Sequence, residues 1–285
     1  MTDNEEIATM AYRGALDVRK RAEVPRLDPV NIFDCAEKLK VEVRFIVGGT
    51  FEGMYEKERK VIVLPVDRPA GRRVFTCAHE LAHWRYKHGS MLDDSTTVED
   101  YNSSPEERLA NMFAGYLLMP PPAVEDAAKA LGVGYSNCSA EQIYELASWF
   151  GVSYASMLGH LKWALRKISS TRYEQLKRVA PREIRSRLLA GKQSQHLIVM
   201  NKLSPRIPID MEVGDLALLP AGVTNIGKSL NIIESTSTHT LIESMRPGVA
   251  LLRTIDGSWS AAARIMRRSY TGRAVFRNLE SDDDE

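Results

Sequence analysis

Residues 72–83 read R-R-V-F-T-C-A-H-E-L-A-H, and this stretch governs how the rest of the chain is interpreted. No Pro or Gly occurs between residues 72 and 88 and a glycine follows, so the sequence predicts a helix there. Residues four apart lie on one face of a helix, which lets His79 and His83 present two imidazoles to one metal ion. Glu80 lies about 100° around the helix and can reach a water molecule bound to that ion.

A catalytic zinc site needs three protein ligands and a water, so a third ligand has to come from another element. Residues 104–119 predict the next helix, with Ser104 as its N-cap. Extending its apolar stripe back by one turn reaches Glu106 and Glu107 about equally. A buried carboxylate without a partner is costly, which favours a ligand role. Ser104 and Glu107 also have the spacing of a capping box, so helix geometry leaves the choice open.

Composition and charge limit the class of protein. The chain has 285 residues, 44% hydrophobic and 26% charged, with a formal net charge of +1. These values are typical of a globular protein of two domains and argue against a disordered or polycationic chain. Its apolar runs are too short for a membrane helix, its N-terminus is acidic, and its three cysteines form no C-x-x-C pair. We therefore expect a cytoplasmic protein that does not span a membrane.

The pattern along the chain predicts an α+β fold in three parts. Residues 1–138 are predicted to form a zinc metallopeptidase domain, in which two helices precede a small strand meander over residues 41–65. Residues 139–192 predict a helix-turn-helix-like hairpin and a basic helical linker. Residues 193–285 change to short apolar segments separated by turn residues, which is typical of a smaller β-rich domain. We expect that domain to have a sensor or regulatory role.

The basic segment permits two interpretations. Residues 163–192 contain nine Lys and Arg against two acids. Such a strip after a helix-turn-helix could bind DNA phosphates through residues 140–192. Alternatively, the hairpin completes the peptidase core and the strip is a solvated linker. Residues 89–104, by contrast, carry acids without bases and predict an acidic surface loop.

Two sequence blocks together resemble the ImmA/IrrE family of metallopeptidases. The first is R-R-V-F-T-C-A-H-E-L-A-H, and the second is E-x-x-A-N-x-F-A-x-x-L-L-M-P, which begins at Glu107. The resemblance covers roughly residues 30–168. It implies that Glu107 completes the metal site with His79 and His83, that Asn111 accompanies it, and that the bound metal is Zn²⁺. It also implies a thermolysin-like minimal zincin core, in which an extended substrate pairs with a strand beside the active-site helix.

The resemblance further implies a function. We expect a zinc endopeptidase with Glu80 as the general base. Its substrate would be a helix-turn-helix transcriptional repressor or antitoxin, whose cleavage triggers a stress or mobile-element response. The alternative is a DNA- or protein-binding regulator with a structural or vestigial zinc site.

The residue that assists zinc in stabilising the oxyanion is not identified by sequence. The candidates for that role are His88, Tyr116, Tyr154 and His160. We interpret His88 as an exposed residue at the helix end that interacts with the helix dipole. Cys77 lies on the opposite side of the helix from His79, and we interpret it as a core residue.

Overall fold

The computed structural model describes residues 3–88, 92–93 and 104–279. In these ranges the helices are α1 (Asp3–Arg21), α2 (Ile32–Lys38), α3 (Ala70–Tyr86), α4 (Pro105–Leu118), α5 (Pro121–Leu131), α6 (Ala140–Trp149), α7 (Tyr154–Gly159), α8 (Ser170–Lys177) and α9 (Pro181–Leu188). The strands are β1 (Glu42–Ile46), β2 (Gly53–Glu56), β3 (Val61–Pro65), β4 (Leu92–Asp93), β5 (Leu197–Val199), β6 (Ile209–Glu212), β7 (Leu216–Pro220), β8 (Val223–Ile226), β9 (Leu230–Ser235), β10 (His239–Ser244), β11 (Gly248–Thr254), β12 (Ser260–Met266) and β13 (Gly272–Arg273). The expected α+β fold class is confirmed.

The first sheet has the strand order β13-β1-β3-β2-β4. Its first three strands do not form the predicted meander, because β1 and β3 are neighbours and run parallel. Only β2 and β3 form an antiparallel hairpin. The physical reason is the apolar run of β3, V-I-V-L-P, which suits a central strand better than an edge. The shorter β2 consequently lies towards the edge of the sheet, beside α3.

Helices α3 and α4 pack against each other beneath this sheet. Helix α3 is almost continuously buried from Phe75 to His83, and it ends at Lys87, whose left-handed backbone (φ 60°) caps the last turn. Cys77 is buried, as its position on the helix predicted. Helix α4 buries its apolar stripe between α3 and α1. The two elements that carry the sequence blocks are therefore held by the same core.

Helix α5 was not predicted. The run Pro120–Pro122 indicated only where α4 ends, yet α5 begins inside it, with Pro120 as the N-cap. Proline is favoured in the first turn of a helix, where its missing N–H has no intrahelical partner. A proline run can therefore end one helix and begin another.

Helices α6 and α7 form the predicted hairpin and dock onto the start of α3. A methyl group on Gly71 would lie 2.7 Å from the backbone nitrogen of Ser153, so the two elements approach closely at a glycine. Helix α7 continues into a π-helical segment, His160–Ala164, whose first two residues are buried. Both helices of the hairpin thus contribute to the core.

The C-terminal region contains two four-stranded sheets with the orders β5-β7-β10-β9 and β6-β12-β11-β8. Strand β11 alternates between buried and exposed residues, as the alternating sequence pattern predicts. After β12 the chain returns to the first sheet, where β13 pairs antiparallel with β1. The β-rich region is therefore connected to the N-terminal sheet by backbone hydrogen bonds.

Charged side chains also join the two regions. Arg277 is buried and contacts Asp34 at 2.9 Å and Asp210 at 3.0 Å. Arg264 contacts the same two carboxylates, each at 2.7 Å. On α3, Arg73 forms an ion pair with Glu212 of β6. These contacts attach α2 and α3 to the C-terminal sheets.

The predicted acidic loop at residues 89–104 lies mostly outside the described residues, apart from β4 and Ser104. Across the ranges that the structure describes, no helix is both long and apolar enough to cross a membrane.

Candidate metal centre

Helix α3 places its two histidines side by side. The relative exposure of His79 is 0% and that of His83 is 2%, and their Nε2 atoms lie 3.1 Å apart. Because the residues are one turn apart on a regular helix, their rings share a face, as the spacing predicted.

Glu107 of α4 approaches the same point. Its Oε2 lies 3.0 Å from His79 Nε2, and its Oε1 lies 3.5 Å from His83 Nε2. The α4 N-cap fixes this start of the helix, since Ser104 Oγ accepts a hydrogen bond from the Glu107 backbone N–H. Glu106, the alternative that the spacing left open, is exposed. The structure brings together His79, His83 and Glu107, whose ligand atoms all lie within 4.8 Å of one another.

The far nitrogen of each histidine also has a partner. His79 Nδ1 lies 2.9 Å from Asn111 Oδ1, one turn along α4 from Glu107. His83 Nδ1 lies 3.0 Å from His88 Nδ1. An Nδ1–H donated to such a partner leaves the Nε2 lone pair free for a metal, which is the usual arrangement around metal-bound histidines.

The interpretation of His88 as an exposed helix-end residue is wrong. Helix α3 ends before it, and the left-handed backbone of Lys87 turns the chain so that His88 is half-buried. Its ring stacks on Tyr86 with a centroid distance of 5.9 Å and contacts His83. Helical spacing could not reveal this contact, because the residue is outside the helix.

The electrostatics of the cluster favour a neutral His83 and an ionised Glu107. Burial, together with the neighbouring His79, lowers the pKa of His83 to about 4. The hydrogen bond from His79 lowers the pKa of Glu107, although partial burial opposes that change. Near neutral pH, His83 and Glu107 are therefore in the protonation states that bind a metal.

Glu80 lies between α3 and the beginning of β2. It is 1% exposed, and a methyl group on Gly53 would lie 3.1 Å from its Oε1 and 2.3 Å from Thr76 Cγ2. Only a residue without a side chain fits β2 at this point, which brings the strand backbone close to the Glu80 carboxylate.

The donor set fits zinc. Two imidazole nitrogens and one carboxylate are a common ligand set of catalytic zinc, and they leave a fourth position for water. Three electron-rich atoms converge here on one point, and a cation between them offsets their mutual repulsion. Asn111 and His88 supply the outer hydrogen bonds that such ligands normally have.

The remaining candidates from the sequence have other partners. His160 is buried, and its Nε2 lies 2.8 Å from the Met119 carbonyl oxygen. The Tyr154 hydroxyl donates to the Leu176 carbonyl at 2.9 Å. The ring of Tyr116 packs edge-on against those of Tyr12 and His160. Among the described residues, His160 is not part of the metal-ligand cluster.

Comparisons with known proteins bear on the N-terminal part of the chain. Residues 36–162 match the family model described as the IrrE N-terminal-like domain, a peptidase family. The search of curated proteins finds no match. Among solved structures, a transcriptional regulator of Mycobacterium tuberculosis is 18% identical, with a TM-score of 0.38 over 56% of this chain. The match covers 52% of that protein, so this chain spans about half of its length.

Proposed function

We propose that this protein is a zinc-dependent endopeptidase, because residues 36–162 match the family model of the IrrE N-terminal-like peptidase domain. The convergence of His79, His83 and Glu107, with Glu80 on the same helix, carries the proposal. A purely structural zinc site has no need for a general base, and it usually has four protein ligands. The intact Glu80 therefore favours an enzyme over a vestigial site.

The mechanism follows from the positions of these side chains. Bound zinc would lower the pKa of a water ligand and polarise the scissile carbonyl. The Glu80 carboxylate would accept the proton of the attacking water and then donate it to the leaving amine. Asn111 and His88 would keep the two imidazoles in orientation, so that their Nε2 atoms face Glu107.

Strand β2 is a suitable place for an extended substrate. It lies beside α3, and on its outer side the described residues of β4 pair with Gly53 and Met54. A peptide added antiparallel along this edge would pass the Glu80 carboxylate. We propose that the substrate binds there, in the position where β4 now pairs.

The proposed substrate is a helix-turn-helix repressor or antitoxin, as the family resemblance implies. Residues 1–162 contain 19 Lys and Arg against 24 Asp and Glu, a net charge of −5. An acidic peptidase region attracts a basic, DNA-binding substrate, so cleavage should slow as salt rises. The three cysteines are buried free thiols, which supports a cytoplasmic location. We assign a regulatory role to residues 193–285.

The decisive experiment compares the wild type with Glu80→Gln. Both proteins are purified, their zinc content is measured, and each is incubated with a candidate helix-turn-helix repressor. We expect both to bind zinc and only the wild type to produce fragments, as detected by mass spectrometry. Equal cleavage by the two proteins would exclude Glu80 as the general base.

Neighbouring glutamates provide a matched control for the metal site. Glu107→Gln should lower zinc content and cleavage together, because it weakens one of three ligands. Glu106→Gln makes the same change one residue earlier, at an exposed position. It should leave zinc content and cleavage unchanged. If the two variants bind zinc equally, the assignment of Glu107 is wrong.

Direct DNA binding through residues 140–192 stays a prediction, and the ion pairs of the basic strip weaken it. Lys167 pairs with Glu125 at 2.6 Å, Arg187 with Glu141 at 3.0 Å, and Lys192 with Glu234. Cations that are paired within the protein have less charge to offer to phosphates. A salt-dependent DNA shift that weakens when Arg182, Arg185 and Arg187 are neutralised would support DNA binding.

A further inference from the structure

A cavity of about 770 Å³ lies where the N-terminal region, the helical hairpin and the C-terminal sheets meet. Its walls come from the start of α3, the α6–α7 turn, β6 and the segment preceding β5. Small-molecule sites generally enclose about 300–1,000 Å³, so this volume suits a drug-sized ligand. The cavity is separate from the metal centre, since none of His79, His83 and Glu107 lines it.

Most of the side chains that line the cavity are apolar, and most of the polar groups among them already have hydrogen-bond partners within the protein. Apolar side chains on the wall include Ile32, Phe75, Val152, Leu158, Ile198 and Met266. The Tyr144 hydroxyl donates to the Leu197 carbonyl at 2.8 Å, and Ser148 Oγ accepts from the Val199 N–H at 2.9 Å. A ligand that fills this space would therefore gain most of its binding free energy from apolar burial.

Two donors on the wall lack acceptors among the described residues. They are Nε of Arg73 and Nε1 of Trp149, and each residue is 3% exposed. A buried donor without an acceptor is destabilising, so an acceptor supplied by a ligand would stabilise the folded protein. The two donors belong to different elements, α3 and α6, which the same ligand could bridge.

The charged side chains that line the cavity favour a neutral hydrogen-bond acceptor on the ligand. The wall carries the cations Arg72, Arg73, Lys177 and Arg185 as well as the acids Asp210, Glu212 and Asp215. Most of these charges already have partners: Arg73 pairs with Glu212, Arg72 with Glu52, and Asp210 with Arg264 and Arg277. A carboxylate ligand would have to compete for these cations, whereas a neutral carbonyl would accept hydrogen bonds without adding charge. We propose that this cavity binds a mainly apolar, neutral molecule with a carbonyl group, held by Arg73 and Trp149.

The probe for this site is prodan, a neutral naphthalene ketone. Its carboxylate analogue, in which the acid replaces the ketone, tests the charge preference. Binding to the full-length protein is measured by isothermal titration calorimetry, with the blue shift of prodan emission as a second readout. We expect prodan to bind more tightly than the carboxylate. No binding of prodan, or tighter binding of the carboxylate, would overturn the proposal.

Two variants test whether prodan binds in this cavity. Trp149→Phe keeps the aromatic ring but removes the Nε1 donor, so prodan affinity should fall about fivefold. Ala155→Trp fills the cavity from an exposed position on α7 and should lower affinity about tenfold or more. Thr171→Trp adds the same side chain at an exposed α8 position that does not line the cavity, and it should change nothing.

Circular dichroism and the melting temperature establish whether each variant is folded. A folded Ala155→Trp protein that binds prodan as the wild type does would place the ligand elsewhere. A folded Trp149→Phe protein with unchanged affinity would contradict the hydrogen bond to the carbonyl. None of the substituted residues belongs to the metal-ligand cluster, so failure here would leave the proposed peptidase function untouched.

Discussion

Each imidazole of the metal-ligand cluster is held from both sides, by Glu107 near its Nε2 and by a second residue at its Nδ1. For His79 the second residue is Asn111, and for His83 it is His88. Removing such an outer hydrogen bond frees the ring to rotate and lowers its basicity, although no metal ligand is lost. The effect of these outer residues on zinc binding can be tested separately from the ligands.

We expect His88→Ala to weaken zinc binding about 10- to 100-fold, because it removes the acceptor at His83 Nδ1. His88→Asn returns an acceptor oxygen close to that position and should restore most of the affinity. Competition with a chelator of known zinc affinity measures both variants. If His88→Ala binds zinc as tightly as the wild type, His88 does not orient His83.

Gly53 allows a second test at this scale. Gly53→Ala would place a methyl group against Thr76 and Glu80, and overpacking of this kind costs about 1–3 kcal/mol of folding free energy. Adding Thr76→Ser removes the nearest clashing atom, Cγ2, and should recover part of the stability. Denaturant unfolding measures both proteins. Full stability in the single variant would show that β2 can move away from α3.

The sequence predicted some residues of the metal site, left one choice open and misplaced another. Spacing alone selected His79, Glu80 and His83, because one helix determines their mutual geometry. It left Glu106 and Glu107 open, since the choice depends on how α4 is rotated against α3. It gave the wrong surroundings for His88, because the left-handed backbone at Lys87 redirects the chain after α3.

Among the elements, the long helices were predictable and the connections between strands were not. Helix α4 follows from its N-cap and periodicity, and α3 from its composition, although α3 ends at a left-handed Lys87 rather than at the glycine at position 89. The parallel pairing of β1 with β3 depends on which strand is most apolar on both faces. The start of α5 was not predicted, because the proline run indicated only the end of α4. The π-helical segment after α7 has no sequence pattern of its own, yet it contains a buried histidine.

That histidine, His160, should make stability depend on pH. Burial lowers its pKa to about 4, although the bond to the Met119 carbonyl opposes that shift. The unfolded chain therefore binds a proton first as pH falls from about 6.5. The stabilisation by neutral His160 is complete above that pH and is lost progressively as pH falls to about 4. One proton corresponds to a slope of about 1.4 kcal/mol per pH unit.

His160→Gln is the comparison variant, since glutamine keeps an amide donor but does not titrate. Its free energy of unfolding should fall less steeply between pH 6.5 and 4 than that of the wild type, by up to about 1.4 kcal/mol per pH unit. Denaturant titrations at several pH values provide the slopes. His83 titrates in both proteins, so its contribution cancels. Parallel slopes would mean that His160 is accessible to protons in the folded state.

On the scale of the whole molecule, the C-terminal region is attached to the N-terminal sheet at several points. Strand β13 pairs with β1, Arg277 joins Asp34 to Asp210, and the ion pair of Arg73 with Glu212 reaches α3. The sequence predicted that short apolar segments begin near residue 193. It did not predict that the chain returns to the first sheet as β13. A two-residue strand has no periodicity, and a single arginine does not indicate which distant carboxylate it will meet.

Arg277 tests whether this attachment stabilises the molecule. Removing one partner of a fully buried ion pair costs about 3–5 kcal/mol. Asp34 is 41% exposed and Arg264 remains beside both carboxylates, so we expect Arg277→Met to cost less, about 2 kcal/mol. Denaturant unfolding measures the loss. Hydrogen exchange at the β1 amide of Phe45, which faces β13, should also accelerate as β13 detaches.

Arg273 provides the matched control for this change. It lies four residues earlier on the returning segment, is 41% exposed, and pairs with Glu42 at 3.1 Å. Exposed ion pairs contribute about 0–1 kcal/mol because water screens them, so Arg273→Met should have a small effect. The difference between the two variants isolates the buried network from the loss of one positive charge. If both cost the same, then β13, rather than Arg277, holds the C-terminal region in place.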